Sequence, residues 1–257
     1  MRSIREWLDA TPIAGIALDL MRDATGRPDP LEPLRPTRPA ALPSHARVAF
    51  WSLIAGVGTS TTAALVAHRS AAAGTPPLLA DLDRWAPSLA LRAGIQAATI
   101  ADALLRPGRE RECVSRWAEV ALLPGAPGLH ATFDATRVVE AVTCAADGAP
   151  IVLDLGCGAD ALDGGVLASV RRLCVVVGPR ASQLQAAFCA TALTRGSPCE
   201  VSLVTVGASD ADAERIASRL PWPCVGVIPS DPYLAADDLG ARSPTMAAVD
   251  RLIRACA

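Results

Sequence analysis

A turn between an apolar run and a helical one is the first place where this chain shows a capacity for chemistry. Arg47-Val48-Ala49-Phe50-Trp51-Ser52-Leu53 has the make-up of a strand and Ala63 to His68 that of a helix, with Ile54-Ala55-Gly56-Val57-Gly58-Thr59-Ser60-Thr61-Thr62 between them. Glycines let the main chain close around an anion, and the N–H groups at a helix start favour negative charge. A hydroxyl at that start, Ser60 above all, can reach Mg²⁺. Taken alone, the run is also what an ordinary strand-to-helix turn looks like. Its company points further. Asp81 and Asp83 close the next apolar run, and Asp154 closes a later one, Ile151-Val152-Leu153. Ligands of open α/β sheets bind beyond the carboxyl ends of strands, so a glycine loop and three aspartates there fit one Mg²⁺–nucleotide site. Helix caps and turn carboxylates are the plainer alternative. One residue type is missing: all 24 basic residues are arginine, and lysine occurs nowhere.

These groups need a scaffold, and the apolar pattern supplies one. Strands are predicted at 47–53, 77–82, 119–123, 150–155, 172–177, 199–206 and 224–228, and helices at 60–73, 135–147, 181–195 and 210–220. Runs that are apolar throughout suit strands covered on both faces. Alternation of strand and helix implies right-handed crossovers and a parallel sheet. The expected fold is α/β, a mostly parallel sheet of about seven strands with helices on both faces, over residues 46–257. Residues 1–25 form a separate expectation, a helical segment with Ile13, Ile16, Ala17, Leu20 and Met21 on one face. It either folds back on its own domain, docks a partner or touches a membrane. Residues 26–45 carry six prolines and predict an extended linker.

Composition narrows the classes. The chain has 257 residues, 51% of them hydrophobic and only 4% aromatic, so aliphatic side chains must fill the core. A net charge of −2 with no basic stripe gives no reason to expect nucleic acid. Eight cysteines include no CxxC pair, which argues against zinc and predicts buried, reduced thiols in a cytosolic protein. No leader or integral membrane segment is expected, since every apolar run is interrupted well short of a span.

The motifs together resemble the ParA/MinD superfamily of deviant P-loop ATPases, whose loop reads KGGxGKTT. Ala55 to Thr61 lies on its last seven positions, with Ile54 and Thr59 where the family has lysines. Asp81-Leu82-Asp83 matches the family's D-x-D. Asp154 to Gly158 matches its DxPxG, with Gly156 in place of proline. Ile228-Pro229-Ser230-Asp231 matches its late loop, and Gly240 and Pro244 follow. The lysine-free loop and Asp81-Leu82-Asp83-Arg84-Trp85 are similar to the TadZ/CpaE branch of pilus-assembly proteins and related septum-site proteins.

The resemblance implies a three-layer P-loop fold and a nucleotide site. Gly56, Val57, Gly58, Thr59, Ser60, Thr61, Pro229 and Asp231 would hold ATP, Ser60, Asp81 and Asp154 would hold Mg²⁺, and Asp83 is the candidate catalytic residue. It implies a homodimer that positions a pilus or secretion apparatus from the cytoplasm. A protein partner on the N-terminal helix would recruit it to a pole, septum or membrane complex. Without lysine, hydrolysis should be weak or absent, unless Arg47, Arg69, Arg84 or a partner's arginine substitutes. The family's adenine-contacting asparagine falls near Val206. The alternatives are an interaction scaffold that binds no nucleotide and an active partitioning ATPase that binds DNA.

Overall fold

The structure is a computed structural model, and it describes residues 38–129, 133–235 and 241–257. Its sheet has eight strands: β1 (Arg47–Ser52), β2 (Leu78–Asp81), β3 (Ser115–Trp117), β4 (Val120–Leu123), β5 (Ile151–Cys157), β6 (Arg172–Val177), β7 (Glu200–Val206) and β8 (Cys224–Ile228). Their spatial order is β3-β4-β2-β5-β1-β6-β7-β8. All pairings are parallel except β3 with β4. All seven expected strands are present. The eighth, β3, is a three-residue antiparallel edge too short and polar to show as an apolar run.

Helices cover both faces. Inward-pointing residues alternate along β1, so Val48 and Phe50 pack into one core while Ala49 and Trp51 pack into the other. The first core is closed by α1 (Thr59–Ala72) and a C-terminal helix, Ser243–Cys256, with Leu89 of the short α2 (Leu89–Arg92). The second is closed by α3 (Ile100–Leu104), α4 (Ala135–Ala146), α5 (Gly164–Ser169), α6 (Ala181–Leu193) and α7 (Asp210–Ala217). A short α8 (Pro232–Ala235) precedes the C-terminal helix, which is α9. Alanines 63, 64 and 67 let α1 lie close against the sheet, and all three are fully buried. From β1 the chain crosses past β5 to β2, whereas from β5 it crosses past β1 to β6. The crossovers diverge there, which opens a crevice at the carboxyl ends of these strands.

The expected linker ends earlier than residue 45. Leu42 is 1% exposed, its N–H donates to Ser70 Oγ at 3.0 Å, and Ala40 N–H donates to Asp250 Oδ1 at 2.9 Å. An apolar Leu amid prolines found a groove, and proline spacing could not reveal it. The N-terminal helix and residues 26–37 lie outside the described residues. The cysteines also depart from expectation. All eight are free thiols, but only Cys113, Cys174 and Cys256 are buried, while Cys144, Cys189 and Cys224 are exposed. Cys224 opens β8, which is the last strand of the sheet among the described residues.

Asp250 anchors this corner, taking two bonds from Arg69 at 2.7–2.8 Å while only 1% exposed. Arg69→Ala would leave that carboxylate buried beside Ala40. It should destabilise the fold by about 3–5 kcal/mol, the usual cost of breaking a buried ion pair. Urea unfolding of the two proteins measures it, and a loss below about 1 kcal/mol, the range of a surface pair, would contradict this role.

Candidate functional site

The turn after β1 is shaped by its glycines. Gly56 has φ +79° and Gly58 φ +94°, both in the region that other residues rarely enter. Gly58 is the N-cap of α1, no side chain among the described residues caps that helix, and its first main-chain bond is Thr62 N–H to Gly58 O at 2.8 Å. The first-turn N–H groups of a 14-residue helix are thereby left to an outside acceptor.

Thr59, in the place of the family's loop lysine, does not face outward. It is 7% exposed, and its hydroxyl donates to Ser52 Oγ at 2.9 Å, which in turn donates to Ile54 O at 2.8 Å. Its hydroxyl therefore stiffens the loop. Ser60, Thr61, Gly56 and Gly58 line a pocket with Asp83, Ser88, Gly156 and Arg92. Gly56, Val57, Gly58 and Thr61 also border an adjoining cleft of about 800 Å³, whose other walls include Arg180, Val206, Gly207, Pro229 and Asp231. The residues expected to hold phosphate and those expected to hold a nucleoside thus share one continuous edge.

The carboxylates divide in role. Asp81 and Asp154 are neighbours in the β2–β5 register and neither is exposed. Asp81 Oδ2 accepts from Ser88 N–H and Leu89 N–H, both at 3.0 Å, and Oδ1 from Asp83 N–H at 3.2 Å. It fixes the loop that starts α2. Asp154 Oδ1 accepts from Gly156 N–H at 3.0 Å, whereas Oδ2 is buried with no hydrogen-bond partner among the described residues. Burial is the main force raising both carboxyls above the usual carboxylate range. Asp154's charge adds to the rise in Asp81, while the Ser60 hydroxyl counters it in Asp154. Asp83 lies at the pocket wall, where Oδ1 accepts from Trp85 and Ala86 N–H groups at 2.9 Å. Asp231 is 7% exposed and is taken up by Tyr233 N–H, Arg242 N–H and the Thr245 hydroxyl, so it ties the late loop to α9.

Mg²⁺ fits this donor set in a limited way. Among the described residues no cluster of three carboxylate, imidazole or thiol groups could cage a metal. Mg²⁺ commonly keeps several waters and one or two protein oxygens beside substrate phosphates. An Asp154 oxygen with no hydrogen-bond partner among the described residues, on a carboxyl that the Ser60 hydroxyl influences, suits that arrangement. Asp81, with both oxygens engaged by main-chain N–H groups, serves the site through the loop it holds.

Gly156, where the family has proline, has a structural cause. Its φ is +65°, and a Cβ there would stand 2.2 Å from Asp83 Oδ2. Proline is fixed near φ −65° and cannot adopt it. The arginines proposed to replace lysine are elsewhere. Arg69 pairs with Asp250, and Arg84 lies 3.4 Å over the Phe133 ring. Arg47 begins β1, at the opposite end of the strand from the loop. Arg92 was missed because its helix has only four residues and no periodicity.

No protein-family model and no curated protein matches the chain. Solved structures do. The cell division ATPase MinD of Pyrococcus furiosus superposes with a TM-score of 0.67 at 20% identity, covering 82% of this chain and 98% of that one. A ParA family ATPase from Chlorobium tepidum gives 0.63 at 21% identity, covering 82% and 97%. The septum site-determining protein MinD of Pyrococcus horikoshii, complexed with Mg-ADP, gives 0.65 at 19% identity, covering 81% and 94%. At these identities the likeness establishes the fold, that of MinD and ParA ATPases.

Two outcomes test the geometry. Gly156→Ala should cost roughly 1–3 kcal/mol, because it forces a Cβ into left-handed backbone against Asp83; urea unfolding reads it. Because Asp81 and Asp154 are raised in the fold, protonation favours the folded state. That contribution is complete below the ordinary carboxylate range and is lost as the pH climbs through the raised values. Asp154→Asn should therefore stabilise the ligand-free protein by about 1–3 kcal/mol near pH 8 and by little near pH 4. Destabilisation near pH 8 would mean that the Asp154 charge is compensated.

Proposed function

We propose that this chain is a nucleotide-dependent positioning protein that binds Mg-ATP weakly and hydrolyses it little. The observation that carries this reading is the intact main-chain cradle, the uncapped start of α1 behind Gly56 and Gly58, with Thr59 turned inward where a lysine would act. Main-chain N–H groups need no lysine to bind phosphate. Mg²⁺ would be held by Ser60 and, through its water shell, by Asp154, and would supply the charge neutralisation that lysine does not. Asp83 stands where it could orient a water, but slow turnover is expected because hydrolysis needs fixed positive charge where negative charge develops. The likeness to a MinD complexed with Mg-ADP supports the choice of ligand.

The positioning role is drawn from the MinD and ParA fold, and the pilus or secretion apparatus as its cargo from the TadZ/CpaE-like motifs. The protein acts as a homodimer face to face across the nucleotide. Trp85, 59% exposed, and Leu91, 84% exposed, flank the loops of the site and suit such a contact. A partner on the N-terminal helix would bring it to a pole, septum or membrane complex. No helix among the described residues is long and apolar enough to cross a membrane. A second reading, a scaffold without nucleotide, draws on the commitment of Thr59, Asp81 and Asp231 to internal bonds.

Calorimetric titration of ATP with and without Mg²⁺ separates the two. Binding is expected only with the metal, and Ser60→Ala should weaken it by roughly 1–3 kcal/mol. Turnover should stay far below about 1 per second. Absence of binding at millimolar Mg-ATP would leave the scaffold reading in place.

A further inference from the structure

One guanidinium stands at the loop although no lysine does. Arg92 Nη1 donates to Thr61 Oγ1 at 2.8 Å, and Arg92 is the basic residue among the described ones that line the pocket of Gly58, Ser60 and Asp83. It comes from α2 and not from the glycine loop, where the family has its lysine. Asp81 fixes the start of α2 through Ser88 and Leu89 N–H groups, and Leu89 is fully buried. Arg92 is therefore carried on a four-residue helix whose first turn is bonded to a central strand.

We propose that Arg92 binds the outer phosphates of a nucleoside triphosphate and takes over the charge role of the missing lysine. This rests on the nucleotide-binding reading above. A guanidinium is planar, always charged and able to grip two phosphate oxygens at once. Its bond to Thr61 places it at the first turn of α1, beside the N–H groups that would meet the same phosphates. Among the described residues that line the pocket, Arg92 is the cation, and it is bonded at the helix start that would bind phosphate. AMP lacks the outer phosphates, so its binding should depend on Arg92 little.

The test is calorimetric titration of the full chain with Mg-ATP and with AMP, on wild type, Arg92→Ala, Arg92→Lys and Arg219→Ala. Arg219 is exposed after α7 and controls for general loss of charge. Arg92→Ala should weaken ATP about tenfold to a hundredfold, the span for a lost charge-assisted bond. AMP should change less than about twofold, Arg92→Lys should recover part of the loss, and Arg219→Ala should match wild type. Melting curves establish that each variant is folded, and Arg92→Lys carries the test if the alanine variant is not. Unchanged ATP affinity in folded Arg92→Ala would overturn this inference and leave the nucleotide reading standing. Equal loss for ATP and AMP would overturn it too, since Arg92 would then shape the loop and not bind outer phosphates. No ATP binding by wild type would overturn both.

Discussion

Asp81 and Asp154 lie side by side across the β2–β5 pairing with no exposed surface, and the loops of the site are built around them. Two carboxyls in such a place are costly unless hydrogen-bonded or neutral. Asp81 meets the requirement with three main-chain N–H groups, and those bonds turn the chain after β2 into α2. Close approach is part of the arrangement: a Cβ on Gly125 would stand 2.4 Å from Pro87 Cβ and 3.0 Å from Asp81 Cγ. Asp154 meets it only in part, since one oxygen accepts from Gly156 and the other has no partner among the described residues. The incompletely satisfied group is on β5, beside β1 and the glycine loop, which is where an incoming cation would repay the cost.

A P-loop normally combines main-chain N–H groups, a hydroxyl and a lysine. This chain separates them. The glycine loop and helix start remain, while Thr59 gives its hydroxyl to Ser52 and so becomes part of the loop's internal support. On α2, the Arg92 guanidinium is bonded to Thr61 in the first turn of α1. A cation placed for binding but not at the usual point on the transferring phosphoryl group would favour retention of ligand over turnover. That combination suits a protein whose bound state is its working state.

The sheet was legible because its central strands are apolar on both faces, a pattern that helices of this length do not show. β3 was not, because three residues with a charge carry no period. The loop and Asp81, Asp83 and Asp154 were legible as a set, since strand ends and glycines are sequence-local features. Which carboxylate is structural was not, because that depends on N–H groups seven and eight residues onward, at Ser88 and Leu89. Arg92 was missed for a related reason: it reaches Thr61 across 31 positions, from a helix too short to leave a pattern. Leu42 likewise hid among prolines, where its burial depends on Ser70 of α1.

The proposed function requires that a lysine-free loop still hold a triphosphate at the start of α1. A crystal structure of the full chain grown with Mg²⁺ and a non-hydrolysable ATP analogue tests it most directly. The expected result is a triphosphate on the N–H groups of residues 56–61, metal beside Ser60 and Asp154, and the Arg92 guanidinium on the outer phosphates. An empty loop at saturating analogue, or a nucleotide bound elsewhere on the protein, would contradict it.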